Sequence, residues 1–192
     1  MKLHLTSEIP PSVNHYLGYR GIMKNGKPMA VSYKTQEATA YSEAFAEYVK
    51  EEVAKQQWSL DVSSNTHFYV DTVFYFDKLD RDCNNYFKVM LDAITDTGLI
   101  WKDDNVVCER VQRIYYDAKN PRIELVIYPV DYIGIFDDAS QLDQFRSRCF
   151  ECKRYKRNCS ILRRAIEGRI QSEIEDHICS KFNQVKKNVD RH

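Results

Sequence analysis

Along the first 130 residues the spacing of apolar side chains changes several times, and each change marks an element. Leu3, Leu5 and Ile9 alternate with polar neighbours, as in a short strand. Pro10-Pro11 end it, because proline offers no N–H to a ladder and fixes its own φ. Residues 12–34 hold Gly18, Gly21, Gly26 and Pro28, with Asn25-Gly26 as a hairpin-turn signal between short segments carrying Tyr19, Ile22, Met29 and Val31. From Thr35 to Gln57 the positions Ala38, Tyr41, Phe45, Tyr48, Val49 and Ala54 recur at helical spacing and predict the first long helix. Phe68 to Phe76 sets aromatic and β-branched residues on both faces, the pattern of a strand largely buried on each side. Residues 84–96 place Phe87, Leu91 and Ile94 on one stripe, with Gly98 as the C-cap of a second helix. Asn105–Tyr116 and Arg122–Tyr128 read as two strands. Asp117-Ala118-Lys119-Asn120-Pro121 between them predicts an antiparallel hairpin.

After Pro129 the pattern changes. Residues 131–145 are acidic and loop-like, whereas Ile161, Leu162, Ala165, Ile166, Ile170, Ile174 and Ile178 predict an amphipathic helix from Ser160 to about Phe182. The expected organisation is a domain over residues 1–130 and a small helical extension over 131–192. The expected fold class is α/β, of the α+β kind: a compact mixed sheet with two main helices.

Composition sharpens this division. Over 192 residues, 28 Lys plus Arg balance 28 Asp plus Glu, which excludes a uniformly basic nucleic-acid binder. The balance is uneven along the chain: residues 1–130 carry 15 basic and 18 acidic side chains, and residues 131–192 carry 13 and 10. Hydrophobic residues at 43%, with 13 Tyr and 9 Phe, suffice for a core. No apolar run reaches the roughly 18 residues of a membrane span, and Met1–Leu5 leads to Pro10-Pro11 without a signal-peptide core. A cytoplasmic protein with no membrane partner is expected.

The densest chemistry is Asp80-Arg81-Asp82-Cys83-Asn84-Asn85-Tyr86-Phe87-Lys88, continued by Asp92 and closed by Asp103-Asp104. Carboxylates converging from a strand end, a helix and a later strand start would repel one another unless a divalent cation neutralised them, and hard oxygen donors suit Mg²⁺ or Mn²⁺. Asn84, Lys88 and Asp92 follow one another at i, i+4 steps and share a helix face. The plainer reading gives Asp82 or Asn84 to a helix cap, Lys88 and Asp92 to a surface ion pair, and Asp103-Asp104 to a turn.

These residues resemble the RusA family of Holliday-junction resolvases. Its signature Arg-Asp-x-Asp-Asn-x-x-Lys stands here as Arg81-Asp82-Cys83-Asn84-Asn85-Tyr86-Phe87-Lys88. A helix, then Gly98-Leu99-Ile100-Trp101-Lys102-Asp103-Asp104, continue the match. Ile9-Pro10-Pro11-Ser12-Val13-Asn14 is similar to the family's Pro-Pro-Ser-x-Asn opening, and the likeness runs from about residue 3 to 130. The resemblance implies a RusA-like fold and a metal-dependent endodeoxyribonuclease that makes paired cuts in four-way DNA junctions as a homodimer, serving phage or prophage recombination or replication in a bacterial or phage-infected host cell. It implies Asp82, Lys88 and Asp104 as catalytic residues, and Asp82, Asn84, Asp103 and Asp104 around Mg²⁺ or Mn²⁺. Asp80 would compensate from the same strand face, and Asp92 would support. Asn14 would approach DNA. One departure stands out: Asn84 occupies the signature's second aspartate, which removes a negative charge from the metal site. An alternative is therefore an impaired relative that binds DNA through its tail.

That tail offers Cys149-x-x-Cys152 and Cys159, with Cys179 or His177 as a fourth ligand for a structural Zn²⁺; the plain alternative is free thiols packing a small extension. Lys153, Arg154, Lys156 and Arg157, with Tyr155 interleaved, form a basic stretch able to meet DNA phosphates, or a solvated face. His15 and Tyr16 have structural roles, or approach the centre. Trp101, Tyr115 and Tyr116 belong to the core or a dimer interface, and His4 and His67 are ordinary strand residues.

Overall fold

The computed structural model describes residues 1–60, 66–155 and 157–185. Its contacts divide the chain into two units, Met1–Pro129 and Val130–His192.

The first unit is built on a four-stranded sheet made of β1 (Leu3–Ser7), β4 (Phe68–Phe76), β5 (Val107–Tyr116) and β6 (Arg122–Pro129). Strand order is β1-β6-β4-β5. β4 runs parallel to β5 and antiparallel to β6, and β1 lies antiparallel to β6 with Leu3 opposite Ile127. The mixed sheet with two principal helices is the α+β architecture expected. One sheet face is apolar: Leu3 and Leu5, Ile123, Leu125 and Ile127, and Phe68, Val70, Phe74 and Phe76 all point to it and are buried. Helix α2 (Gln36–Lys55) packs there through Tyr41, Phe45 and Val49, and α3 (Asn84–Thr97) through Phe87, Met90, Leu91 and Ile94. Phe87 meets Phe74 edge to face at 5.6 Å between ring centroids. The other sheet face is half-buried and polar. There Asp71 accepts hydrogen bonds from Arg110 (2.6 Å), Tyr128 (2.7 Å) and Gln112 (2.9 Å), joining three strands. β4 is thus fully buried on one side only.

The Asn25-Gly26 turn closes the hairpin of β2 (Leu17–Lys24) and β3 (Lys27–Lys34), both turn residues taking positive φ. Thr35 then serves twice: its Oγ1 accepts the Ala38 N–H to cap α2 and donates to the His15 carbonyl, so α1 (Val13–Tyr16) is tied to α2.

The expected β5–β6 hairpin does not form. The two strands flank β4, and the Asp117 N–H bonds the Phe76 carbonyl at 2.7 Å, so the connecting turn passes over the end of β4. β4, with its apolar face, takes the centre, where both its edges are paired. Trp101 is core, whereas Tyr115 and Tyr116 on edge strand β5 are exposed.

The second unit departs further from expectation. The stretch 131–145, read as a loop, runs into α4 (Ala139–Phe150), capped by Asp138, whose carboxylate accepts the Gln141 N–H. The long helix from Ser160 is cut to α5 (Ile161–Ile166), because Gly168 turns the chain with φ 76°. Beyond it, β7 (Ile174–Glu175) and β8 (Ile178–Cys179) pair across Asp176-His177, both in the left-handed region. Ile170 is 88% exposed, so its helical spacing corresponds to no apolar face. The small core holds Phe136, Leu142, Phe145, Ile161 and Ala165. Gly134 is required beside it: a Cβ there would come within 2.1 Å of the Ala165 carbonyl oxygen.

Candidate active site

The acidic segment begins where β4 leaves the sheet. Asp80 lies in the turn beyond Phe76, so it shares no strand face with Asp82 and its expected compensating position is lost. Arg81 is held inside this turn. Its Nε donates to Asp77 at 3.1 Å and its Nη1 to the Tyr86 hydroxyl at 3.0 Å, pinning the loop between strand end and helix start. This contact holds the Asp77 carboxyl below the usual carboxylate range. Asp82 accepts the Asn84 N–H at 3.0 Å, one of the otherwise unpaired donors of the first helical turn. Asp103 does the same for Asn105 at 2.9 Å and opens the 3₁₀ turn Asp104–Val106. Each thus spends one carboxylate oxygen on the backbone and has a second to offer.

The two halves of the motif meet at Lys88. Its Nζ donates to Asp92 Oδ1 at 2.6 Å and lies 3.7 Å from Asp104 Oδ2, while its side chain stays 56% exposed. The bond to Asp92 raises the Lys88 pKa against the opposing effect of burial. The second Asp92 oxygen accepts from the Tyr16 hydroxyl at 2.6 Å. With both oxygens engaged, Asp92 orients Lys88 and Tyr16 and is poorly placed to serve a cation. Burial raises the Tyr16 pKa, and the bond to Asp92 adds to it.

Two residues join the site without having been singled out. The Lys34 Nζ stands 5.5 Å from the Tyr16 ring centroid and 3.7 Å from Asp96. Glu109 is exposed as a residue, yet its carboxyl is pushed up by burial and then by the charge of Asp104. No local signal marks either; β3 and β5 deliver them through tertiary packing. Asn14 and His15 are exposed on α1, just ahead of Tyr16. Among the described residues no group of three His, Cys, Asp or Glu side chains is arranged to hold a metal ion as placed. The donors nevertheless fit Mg²⁺ or Mn²⁺ in kind: Asp82, Asp103 and Asp104 supply hard carboxylate oxygens and Asn84 a neutral carbonyl.

The family model of endodeoxyribonuclease RusA matches residues 9–128, a stretch that contains every residue of this centre. The chain belongs to the RusA endodeoxyribonuclease family. RusA proteins are endonucleases that resolve Holliday junctions in recombination, and they are generally dependent on divalent metal. No curated protein matches the chain. The RusA match ends within β6, before the second unit begins. In that unit Lys153, Arg154 and Arg157 are exposed, whereas Lys156 lies outside the described residues. Among the described residues no helix is long and apolar enough to cross a membrane.

Proposed function

We propose that this chain hydrolyses phosphodiester bonds at four-way DNA junctions with Mg²⁺ or Mn²⁺, as a homodimer whose two centres make paired cuts. The observation that carries the reading is the approach of Lys88 to Asp104 while Asp92 and Tyr16 fix the lysine from behind. Asp82 and Asp104 would be the principal ligands, with Asn84 and Asp103 in support. A bound divalent cation would supply Lewis-acid polarisation of the scissile phosphate and a lowered pKa for the attacking water. Lys88, protonated throughout the neutral range, donates to a nonbridging phosphate oxygen and stabilises charge that grows in the transition state. Asp92 keeps that ammonium from collapsing fully onto Asp104. Asn14 on α1, and the exposed Lys153, Arg154 and Arg157 with the neighbouring Lys156, would contact phosphates. The setting would be phage or prophage recombination or replication, in the cytoplasm of a bacterial or infected host cell.

The neutral Asn84 favours a second reading, a junction binder with weakened cleavage. One experiment separates the two. Synthetic four-way junctions incubated with the protein in Mg²⁺ or Mn²⁺ should be nicked symmetrically, and Asp104→Asn should abolish this. Binding without cleavage in the wild type, with cleavage gained in Asn84→Asp, establishes the second reading. Robust cleavage by Asp82→Asn/Asp104→Asn defeats the site assignment.

A further inference from the structure

Among its described residues the second unit has a core of five buried apolar side chains, two short helices and a hairpin of two-residue strands. A unit this small normally needs a staple. Four of the chain's six cysteines lie in it, at element ends: Cys149 in the last turn of α4, Cys152 in the turn that follows, Cys159 just ahead of α5, and Cys179 on β8. All four are half-buried and none is in a disulfide. Cys149, Cys159 and Cys179 pack against the same core.

The backbone draws the fourth to them. Cys152 bridges Gln184, the Lys153 N–H bonds the Asn183 carbonyl at 2.7 Å, and the Val185 N–H bonds Glu151 at 2.8 Å. The Cys149-x-x-Cys152 turn is thereby zipped to the chain just past Cys179. Within the turn the Cys152 N–H bonds the Cys149 carbonyl, and the Asn183 N–H points at Cys152 Sγ at 3.4 Å. Asn158, with φ 60°, bends the chain back immediately before Cys159.

We propose that Cys149, Cys152, Cys159 and Cys179 bind one structural Zn²⁺ that holds the second unit together. The site is separate from the nuclease chemistry and stands or falls independently of it. Sequence left the fourth ligand open between His177 and Cys179; the geometry points to Cys179, because the His177 ring packs on Phe136 at 5.9 Å between centroids. Among the described residues no three of these thiols are arranged to hold a metal ion as placed. Zn–S bonds of about 2.3 Å would draw the four sulfurs to within about 4 Å of one another. Four thiolates around Zn²⁺ carry two negative charges in excess. The Asn183 N–H at Cys152, and the cations Lys153 and Arg154 in the following turn, offset that charge.

The full chain, purified with reductant and dialysed free of loose metal, should contain about one zinc by elemental analysis. Asp104→Asn should retain it, whereas Cys159→Ser and Cys179→Ser should lose it and His177→Ala should not. Replacement by Co²⁺ should give thiolate-to-cobalt charge-transfer absorption with the strong visible bands of a tetrahedral site. Should the serine variants fail to fold, alkylation of the wild type decides: four of six cysteines should be protected until a chelator is added. Absence of zinc and cobalt from the reduced wild type, equal alkylation of all six thiols before chelation, or retention of zinc by Cys159→Ser/Cys179→Ser overturns the proposal.

Discussion

Tyr16 shows how a residue far from the motif reaches the candidate centre. It is buried, reaches across 76 positions to Asp92, and through Asp92 sets Lys88. Tyr16→Phe keeps the ring and removes only the hydroxyl, a hydrogen bond to a charged group worth about 1.5–3 kcal/mol. Single-turnover junction cleavage should fall about tenfold while junction affinity stays unchanged; equal cleavage rates would reduce Tyr16 to a core residue. Asn84→Asp acts at the same scale with the opposite sign. An added carboxylate on the exposed start of α3 should lower the Mg²⁺ concentration needed for half-maximal cleavage, provided Asp82 and Asp104 are intact. Residues of this kind divide by what spacing can reveal. Asn84, Lys88 and Asp92 could be aligned from i, i+4 steps alone, whereas Lys34 and Glu109 arrive from strands whose placement no local pattern encodes.

Among the elements, those with strong local signals were readable: the period-2 run of β4, the stripe and Gly98 cap of α3, and the Asn25-Gly26 hairpin. The β5–β6 connection was misread because turn residues report that the chain reverses, not which strand lies between the arms. β4 lies there, and Asp71 on its outer face clamps both neighbours. Burial pushes the Asp71 carboxyl up, but hydrogen bonds from Arg110, Tyr128 and Gln112 outweigh it, and the pKa ends below its ordinary value. A depressed folded-state pKa stabilises fully above the unfolded value, near 4, and that contribution disappears as pH falls through the folded value. Asp71→Asn should therefore lower the melting temperature at pH 7 and flatten the loss of stability seen below about pH 4.5 in thermal scans. The α5 region failed for another reason: isoleucines at helical spacing outweighed Gly168 and Asp176-His177, which are turn-formers. Gly134→Ala should destabilise the second unit by about 1–3 kcal/mol, since both φ and the Ala165 carbonyl oppose a side chain; far-ultraviolet and intrinsic-fluorescence melts would measure it.

For the whole molecule, neutrality hides a division, with an excess of three negative charges over residues 1–130 and three positive over residues 131–192. Neutralising Lys153, Arg154 and Arg157 together should make junction binding less salt-dependent, reducing the log–log slope by up to about 2.7 if all three meet phosphates. An unchanged slope would return them to a solvated face. Strand order has a consequence in time as well as space. Among the described residues β1 has β6 as its sole sheet partner, so Leu3 must wait until Ile127 has been synthesised before it can pair, while β4, α3 and β5 are already available to one another. On the ribosome, β1 is therefore made before the other strands of its sheet yet is among the last to be seated in it. A chain interrupted before β6 would present β1 and one edge of β4 as unsatisfied, sticky strands.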